Sequence, residues 1–124
     1  MQDGKYVIQV LDDDPDVLES LRIVLQANGY AVVTAQSAEE GLRVYQTAQP
    51  DLLIVDLMME EIDAGTTFVK EVRALGNKAP IYVLSSVGDN LNITTDFSSL
   101  GLTGVLQKPI NSKLLLTLLR SKLK

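Results

Sequence analysis

Four places in the chain hold side chains able to do polar chemistry: Asp12-Asp13-Asp14, Asp56, Ser85-Ser86 and Lys108. Each follows an apolar run, namely Val10-Leu11, Ile54-Val55, Val83-Leu84 and Val105-Leu106. The sequence contains no Cys and no His. That excludes disulfides, thiolate or imidazole metal centres, and Ser-His or Cys-His nucleophiles. Any chemistry must rest on carboxylates, hydroxyls and lysine.

If the ends of those runs meet at one rim, Asp12, Asp13 and Asp56 crowd together. Carboxylates a few ångströms apart repel by about 1–4 kcal/mol per pair at an effective dielectric of 20–80, so a cation among them is the simplest explanation. An all-oxygen set selects a hard cation, Mg²⁺ above all. Ser85 and Lys108 add a hydroxyl donor and a positive charge, which suits a phosphoryl group shared with that metal. One carboxylate would then be a nucleophile, and Asp56 is the natural one because Asp12 and Asp13 are adjacent and can share the cation. Asp14 alone is enough to cap a following helix, so capping does not account for its two neighbours.

The elements that must position these residues are legible in the apolar pattern. Residues 6–11 read as a buried strand, and Val17, Leu18, Leu21, Val24 and Leu25 form the stripe of a helix that begins with Asp14-Pro15 and stops at Asn28-Gly29. Residues 31–35 give a second strand. Ser37-Ala38-Glu39-Glu40 has the spacing of a capping box and opens a helix that must end before Pro50. Residues 52–55 form a third strand, followed by a loop and a helix bearing Phe68, Val69, Val72 and Leu75 that closes at Gly76-Asn77. Residues 81–84 form a fourth strand, residues 89–100 a helix of poor propensity, and Val105-Leu106 a short fifth strand. Asn111 or Ser112 caps a Leu-rich last helix.

Strands that are apolar throughout, each followed by a helix, specify an α/β fold: a doubly wound, five-stranded parallel sheet with helices on both faces. In such sheets the ligand lies outside the carboxyl ends of the strands. Residues 1–124 are one domain's worth of chain. The net charge of −5 divides into −9 over residues 1–77 and +4 over residues 78–124, which argues against a nucleic-acid binder. The basic tail, Lys113, Arg120, Lys122 and Lys124, reads as a solvated helix face. No apolar run approaches the roughly 18–20 residues of a membrane span, and the start MQDGKYVIQV lacks a cleavage site, so the expectation is a cytoplasmic protein with no membrane contact.

Together, Leu11-Asp12-Asp13-Asp14-Pro15, Pro50-Asp51-Leu52-Leu53-Ile54-Val55-Asp56-Leu57-Met58-Met59, Pro80-Ile81-Tyr82-Val83-Leu84-Ser85 and Lys108-Pro109 resemble the receiver domain of two-component response regulators. The resemblance runs from about Tyr6 to Leu119 and implies the flavodoxin-like (βα)5 fold. It also implies that Asp56 accepts a phosphoryl group from a phosphohistidine on a sensor histidine kinase or a phosphotransfer protein, and that the domain catalyses only its own phosphorylation and dephosphorylation. Asp13 would ligate Mg²⁺ directly, Asp12 through water, and Asp56 and the Met58 carbonyl would complete the protein ligands. Ser85 and Lys108 would contact phosphoryl oxygens, with a cis peptide to Pro109 fixing the lysine. Output would pass to a downstream effector protein or to an output domain missing from this chain, by protein contact.

Three positions depart from the family pattern. Val105 stands where an aromatic switch residue is usual, Glu60 where Pro is usual, and Ala64 where Gly is usual, with Gly65 next. They bear on the loop over the site and on the output surface, where the segment 87–102 and the Leu-rich last helix are expected to carry the signal. A degenerate receiver serving only as an interaction module is the main competing reading. A phosphatase of the haloacid dehalogenase type would need an Asp where Met58 stands, and a flavin mononucleotide binder would need a Gly-rich loop where Asp12-Asp13-Asp14-Pro15 stands.

Overall fold

The computed structural model describes residues 4–56, 64–86, 102–108 and 110–123. Five strands form one parallel sheet: β1 (Val7–Leu11), β2 (Ala31–Ala35), β3 (Leu52–Asp56), β4 (Ile81–Ser86) and β5 (Gly104–Lys108), in the order β2-β1-β3-β4-β5. The described helices are α1 (Pro15–Ala27), α2 (Ala38–Ala48), α3 (Ala64–Ala74) and α4 (Ser112–Lys122). This is the doubly wound α/β architecture expected from the sequence. The expected weak helix over 89–100 lies outside the described residues.

The sheet is covered on both sides because its strands are apolar at odd and even positions alike. Ile8, Val10, Leu52, Ile54 and Leu84 pack under α1 and α4, against Leu18, Leu21, Leu25, Leu115 and Leu119. Their alternates Leu11, Leu53, Val55, Ile81 and Val83 pack under α2 and α3, against Phe68, Val69 and Val72. Gln9 is the polar exception on β1; fully buried, it donates from Nε2 to the Gly41 carbonyl at 2.8 Å and so ties the sheet to α2.

Helix starts follow the side chains foreseen for them. Asp14 Oδ1 accepts from Asp16 N at 2.9 Å, Ser37 Oγ from Glu40 N at 3.1 Å, and Asn111 Oδ1 from Leu114 N at 3.1 Å. The capping box is shifted by one residue: Glu40 Oε1 accepts from Gln36 N, at 2.7 Å, rather than from Ser37 N. Strand ends also move. Tyr6 precedes β1, Asp56 is the last residue of β3, Ser85 and Ser86 belong to β4, and β5 extends to Lys108, because ladder pairing to neighbours continues past the last apolar side chain. Leu75, expected on the core face of α3, lies past the helix end and is 52% exposed.

At the amino-terminal rim of the sheet, polar groups satisfy one another. Val7 N donates to Asp51 Oδ2 and Asp51 N to the Val7 carbonyl, both at 2.8 Å. Asn77 Oδ1 accepts from Tyr45 Oη at 3.0 Å and from Ala79 N at 3.2 Å, its Nδ2 donates to the Ala79 carbonyl, and its own carbonyl accepts from Arg73 Nη1. This fastens α2 to the turn between α3 and β4. Burial pushes the Tyr45 phenol above its usual pKa, an effect that the nearby Arg73 charge opposes, and burial pushes up Tyr82 as well. A phenol with a raised folded pKa favours folding fully below the unfolded value and loses that contribution as pH climbs through about 10 toward the folded value. Stability is therefore expected to fall in this alkaline window. In the double variant Tyr45→Phe, Tyr82→Phe the decline should flatten, as measured by urea unfolding across the range; an unchanged slope would contradict the role of these two phenols.

Tyr82 and Gly104 face each other across β4 and β5. A Cβ at Gly104 would meet Tyr82 Cε1 at 2.7 Å and Cδ1 at 2.9 Å, so the ring lies over bare backbone. Tyr82 belongs to the same buried core as Leu106, Leu115 and Leu119, which limits the room its ring has to yield. Gly104→Ala should destabilise the fold by about 1–3 kcal/mol through overpacking. Chemical denaturation of this variant would read that loss, and a wild-type midpoint would refute the close packing.

Candidate acidic metal and phosphoryl site

The parallel pairing of β1 with β3 sets Leu11 opposite Val55, so the residues that follow, Asp12 and Asp56, leave the sheet side by side. One carboxylate oxygen from each of Asp12, Asp13 and Asp56 falls within 4.8 Å of the other two. Asp12 is fully buried, Asp56 is 3% exposed, and Asp13 is half-buried. Asp12 is fixed at both ends: its backbone N donates to the Ala35 carbonyl at 3.1 Å, and its Oδ1 accepts from Asp14 N at 2.9 Å. Asp14 itself is exposed and caps α1. The structure thus divides the acidic triplet as the sequence reading did, two residues for the cluster and one for the helix.

Three like charges at this range, two of them withdrawn from water, repel by about 1–4 kcal/mol per pair. Asp12 and Asp56 stand at the ends of adjacent paired strands, which limits their freedom to separate. A magnesium octahedron of about 2.0–2.1 Å radius has adjacent ligand oxygens about 2.9 Å apart and opposite ones about 4.1 Å apart. Oxygens within 4.8 Å of one another are near enough for one such ion to draw them together, and the donor set, all oxygen and anionic, suits it chemically.

Ser85 and Lys108 reach the same rim on the other half of the sheet. Asp56 pairs with Leu84 of β4, so Ser85 stands one residue further out on the adjacent strand, and in turn Ser86 pairs with Lys108 at the end of β5. Lys108 lies two strands across from Asp56 and two residues further out, so their backbones are about 12 Å apart. Among the site residues expected from sequence, Asp12, Asp13 and Asp56 are brought together, Ser85 and Lys108 are placed at the same edge by their strands, and Met58 lies outside the described residues, as do Glu60 and Pro109. Val105 is on β5 opposite Val83 and is 38% exposed. What sequence reading missed is the Asx-type bond from Asp14 N that orients Asp12; the signal for it is an Asp two residues before a helix cap.

Comparison with known proteins accords with this geometry. The profile of the response regulator receiver domain matches residues 8–120. The response regulator MprA of Mycolicibacterium vanbaalenii is 35% identical over 117 residues, covering 94% of this chain and 50% of that protein. The transcriptional regulatory protein GlrR of Escherichia coli K12 is 35% identical over 102 residues, 82% of this chain and 22% of that protein. The chain thus spans half or less of the length of these relatives. Among solved structures, the chemotaxis protein CheY4 of Vibrio cholerae superposes with a TM-score of 0.87 at 30% identity, covering 97% of this chain and all of that one. A putative response regulator from Chloroflexus aurantiacus gives 0.83 at 33% identity, covering 95% and 97%. With residues 8–120 matched by the family's profile and relatives 35% identical over nearly its whole length, the chain belongs to the response regulator receiver family.

Proposed function

We propose that this receiver takes a phosphoryl group onto Asp56 from a phosphohistidine of a sensor histidine kinase or phosphotransfer protein, and that the change alters its protein-binding surface. The observation that carries this reading is the meeting of Asp12, Asp13 and Asp56 within 4.8 Å at the carboxyl ends of β1 and β3. A Mg²⁺ held by Asp13, Asp56 and the Met58 carbonyl, and by Asp12 through water, would neutralise charge on the transferring group. An Asp56 oxygen forms the bond to phosphorus as the bond from phosphorus to the imidazole nitrogen breaks, and the imidazole leaves neutral after taking up a proton. Ser85 and Lys108 supply a hydroxyl and an ammonium for the phosphoryl oxygens, and hydrolysis of the acyl phosphate later restores Asp56. The domain is thus a switch that processes its own phosphoryl group rather than an enzyme acting on a separate substrate.

The effector is a protein: a downstream partner or an output domain continuous with this chain, as the longer relatives MprA and GlrR suggest. Direct nucleic-acid binding by this chain is set aside on its acidic balance. Among the described residues no helix is long and apolar enough to cross a membrane, and we place the domain in the cytoplasm, where sensor kinases present their phosphohistidine. The degenerate-receiver reading is disfavoured because Asp12, Asp13, Asp56, Ser85 and Lys108 are all retained. Membership of the receiver family leaves the phosphatase and flavin-binding readings without a role.

Acetyl phosphate with Mg²⁺ should add one phosphoryl group, seen by intact mass, and Asp56→Asn should abolish it because an amide is no nucleophile toward phosphorus. Equal labelling of both proteins would overturn the assignment. Ser85→Ala should still be labelled.

Asp13→Asn should raise the thermal midpoint in EDTA by relieving like-charge repulsion, and should lose the stabilisation that Mg²⁺ gives the wild type, so that the order of the two melting curves reverses when metal is added. A full metal-dependent shift in Asp13→Asn would remove Asp13 from the ligand set.

A further inference from the structure

Asn28 and Gly29 end α1 and form the one Asn-Gly pair in the sequence. Both residues are exposed. Glycine has no side chain to hinder its amide nitrogen, so the pair has the components of an intramolecular reaction at the asparagine side chain. The cap geometry opposes that reaction. Asn28 sits at ψ 16°, which nearly eclipses the Gly29 nitrogen with the Asn28 nitrogen and turns it away from the Asn28 side chain. The Gly29 N–H donates to the Gln26 carbonyl at 3.2 Å, and Asn28 Nδ2 donates to the Val24 carbonyl at 2.8 Å. Gly29 itself lies at φ +90°, in the region that glycine adopts without strain.

We propose that Asn28 is a spontaneous deamidation site whose reaction is gated by the C-terminal cap of α1 and whose product removes that cap, with water as the co-reactant. The Gly29 nitrogen gives up its proton to solvent and bonds to Asn28 Cγ. The bond from Cγ to Nδ2 breaks, and the side-chain nitrogen takes up a proton from solvent and leaves as ammonia. Water then opens the cyclic imide at one of its two carbonyls, leaving aspartate or isoaspartate; no oxidation or reduction occurs. Reaching the imide requires both hydrogen bonds to open and Asn28 to rotate about ψ, so the reaction draws on the population in which the end of α1 has frayed.

The product cannot refold into the same cap. A carboxylate has no hydrogen to donate to the Val24 carbonyl, and it places a negative charge at the negative pole of a helix whose last turn has no basic residue. Isoaspartate further lengthens the backbone by one methylene in the turn that sends Tyr30 N back to the Leu25 carbonyl. Leu25, fully buried under the sheet, is the residue through which this loosening reaches the core.

Peptide mapping of the intact protein, incubated in mildly alkaline buffer with and without urea, tests the gate. The mass gain of exchanging an amide NH₂ for OH is expected in the peptide holding Asn28, ahead of those holding Asn77 and Asn111, which precede Lys78 and Ser112. Its rate should rise roughly tenfold or more on unfolding, the ratio that an opening free energy of about 1.4 kcal/mol imposes. Equal rates in the folded and unfolded protein would refute the gate, and another asparagine leading in urea would refute the site. Asn28→Asp, which carries the aspartate product, should melt about 2–5 °C below wild type. A wild-type melting curve for that variant would overturn the claim that the product removes the cap.

Discussion

Like-charge crowding is the constraint around which this molecule is arranged. Asp12 and Asp56 are buried and share a 4.8 Å neighbourhood with Asp13, an arrangement no isolated peptide would keep. It persists because β1 and β3 are adjacent parallel strands whose side chains are anchored on both faces. Asp12 is further held by a neighbouring strand carbonyl and by the first turn of α1. The apolar burial of the sheet and helices, worth roughly 25 cal/mol per Å² of apolar surface, supplies the free energy against which a few kcal/mol of repulsion can be sustained. The Mg²⁺ and phosphoryl chemistry proposed for this rim would act on charges already in place.

The two rims of the sheet show what distinguishes an acid used for structure from one available for chemistry. Asp51, at the amino-terminal rim, exchanges hydrogen bonds with the backbone of Val7, and Asn77 nearby meets donors and acceptors on every polar atom of its side chain. Those groups are complementary in kind, so each can lower the free energy of another. At the carboxyl-terminal rim the clustered groups are all acceptors of one sign, and no rearrangement among the three can satisfy them. A cation or hydrogen-bond donors from outside the three can do so, and Ser85 and Lys108 stand on strands that end at the same edge.

Much of this was legible in the sequence. Residues 6–11 and 52–55 could be read as buried strands because runs this apolar have no other use in a chain without membrane-length runs, and Asp14, Ser37 and Asn111 each cap the helix expected of them. Less legible were features set by contacts between distant segments. The ring of Tyr82 lies over Gly104, yet a glycine before Val105 reads in sequence as a plain turn residue. Asn77 reads as a helix stop, whereas its side chain also binds Tyr45, 32 residues earlier. Leu75 fits the helical stripe of α3, but α3 ends one residue before it.

The same distinction separates the components of the site. Asp12, Asp13 and Asp56 could be assigned to one cluster because each follows an apolar strand, and the parallel pairing of such strands brings their carboxyl ends to one rim. That pairing carries the carboxylates with it. Val105 shows where register stops being enough. It occupies a defined place opposite Val83, and the register puts it there regardless of its side chain. Its branched aliphatic chain, 38% exposed, lacks the large ring usual at this position in the family. The register therefore supplies the position without the ring, and the phosphorylation signal proposed for Asp56 would have to leave the site by a route other than the rotation of a large side chain at 105.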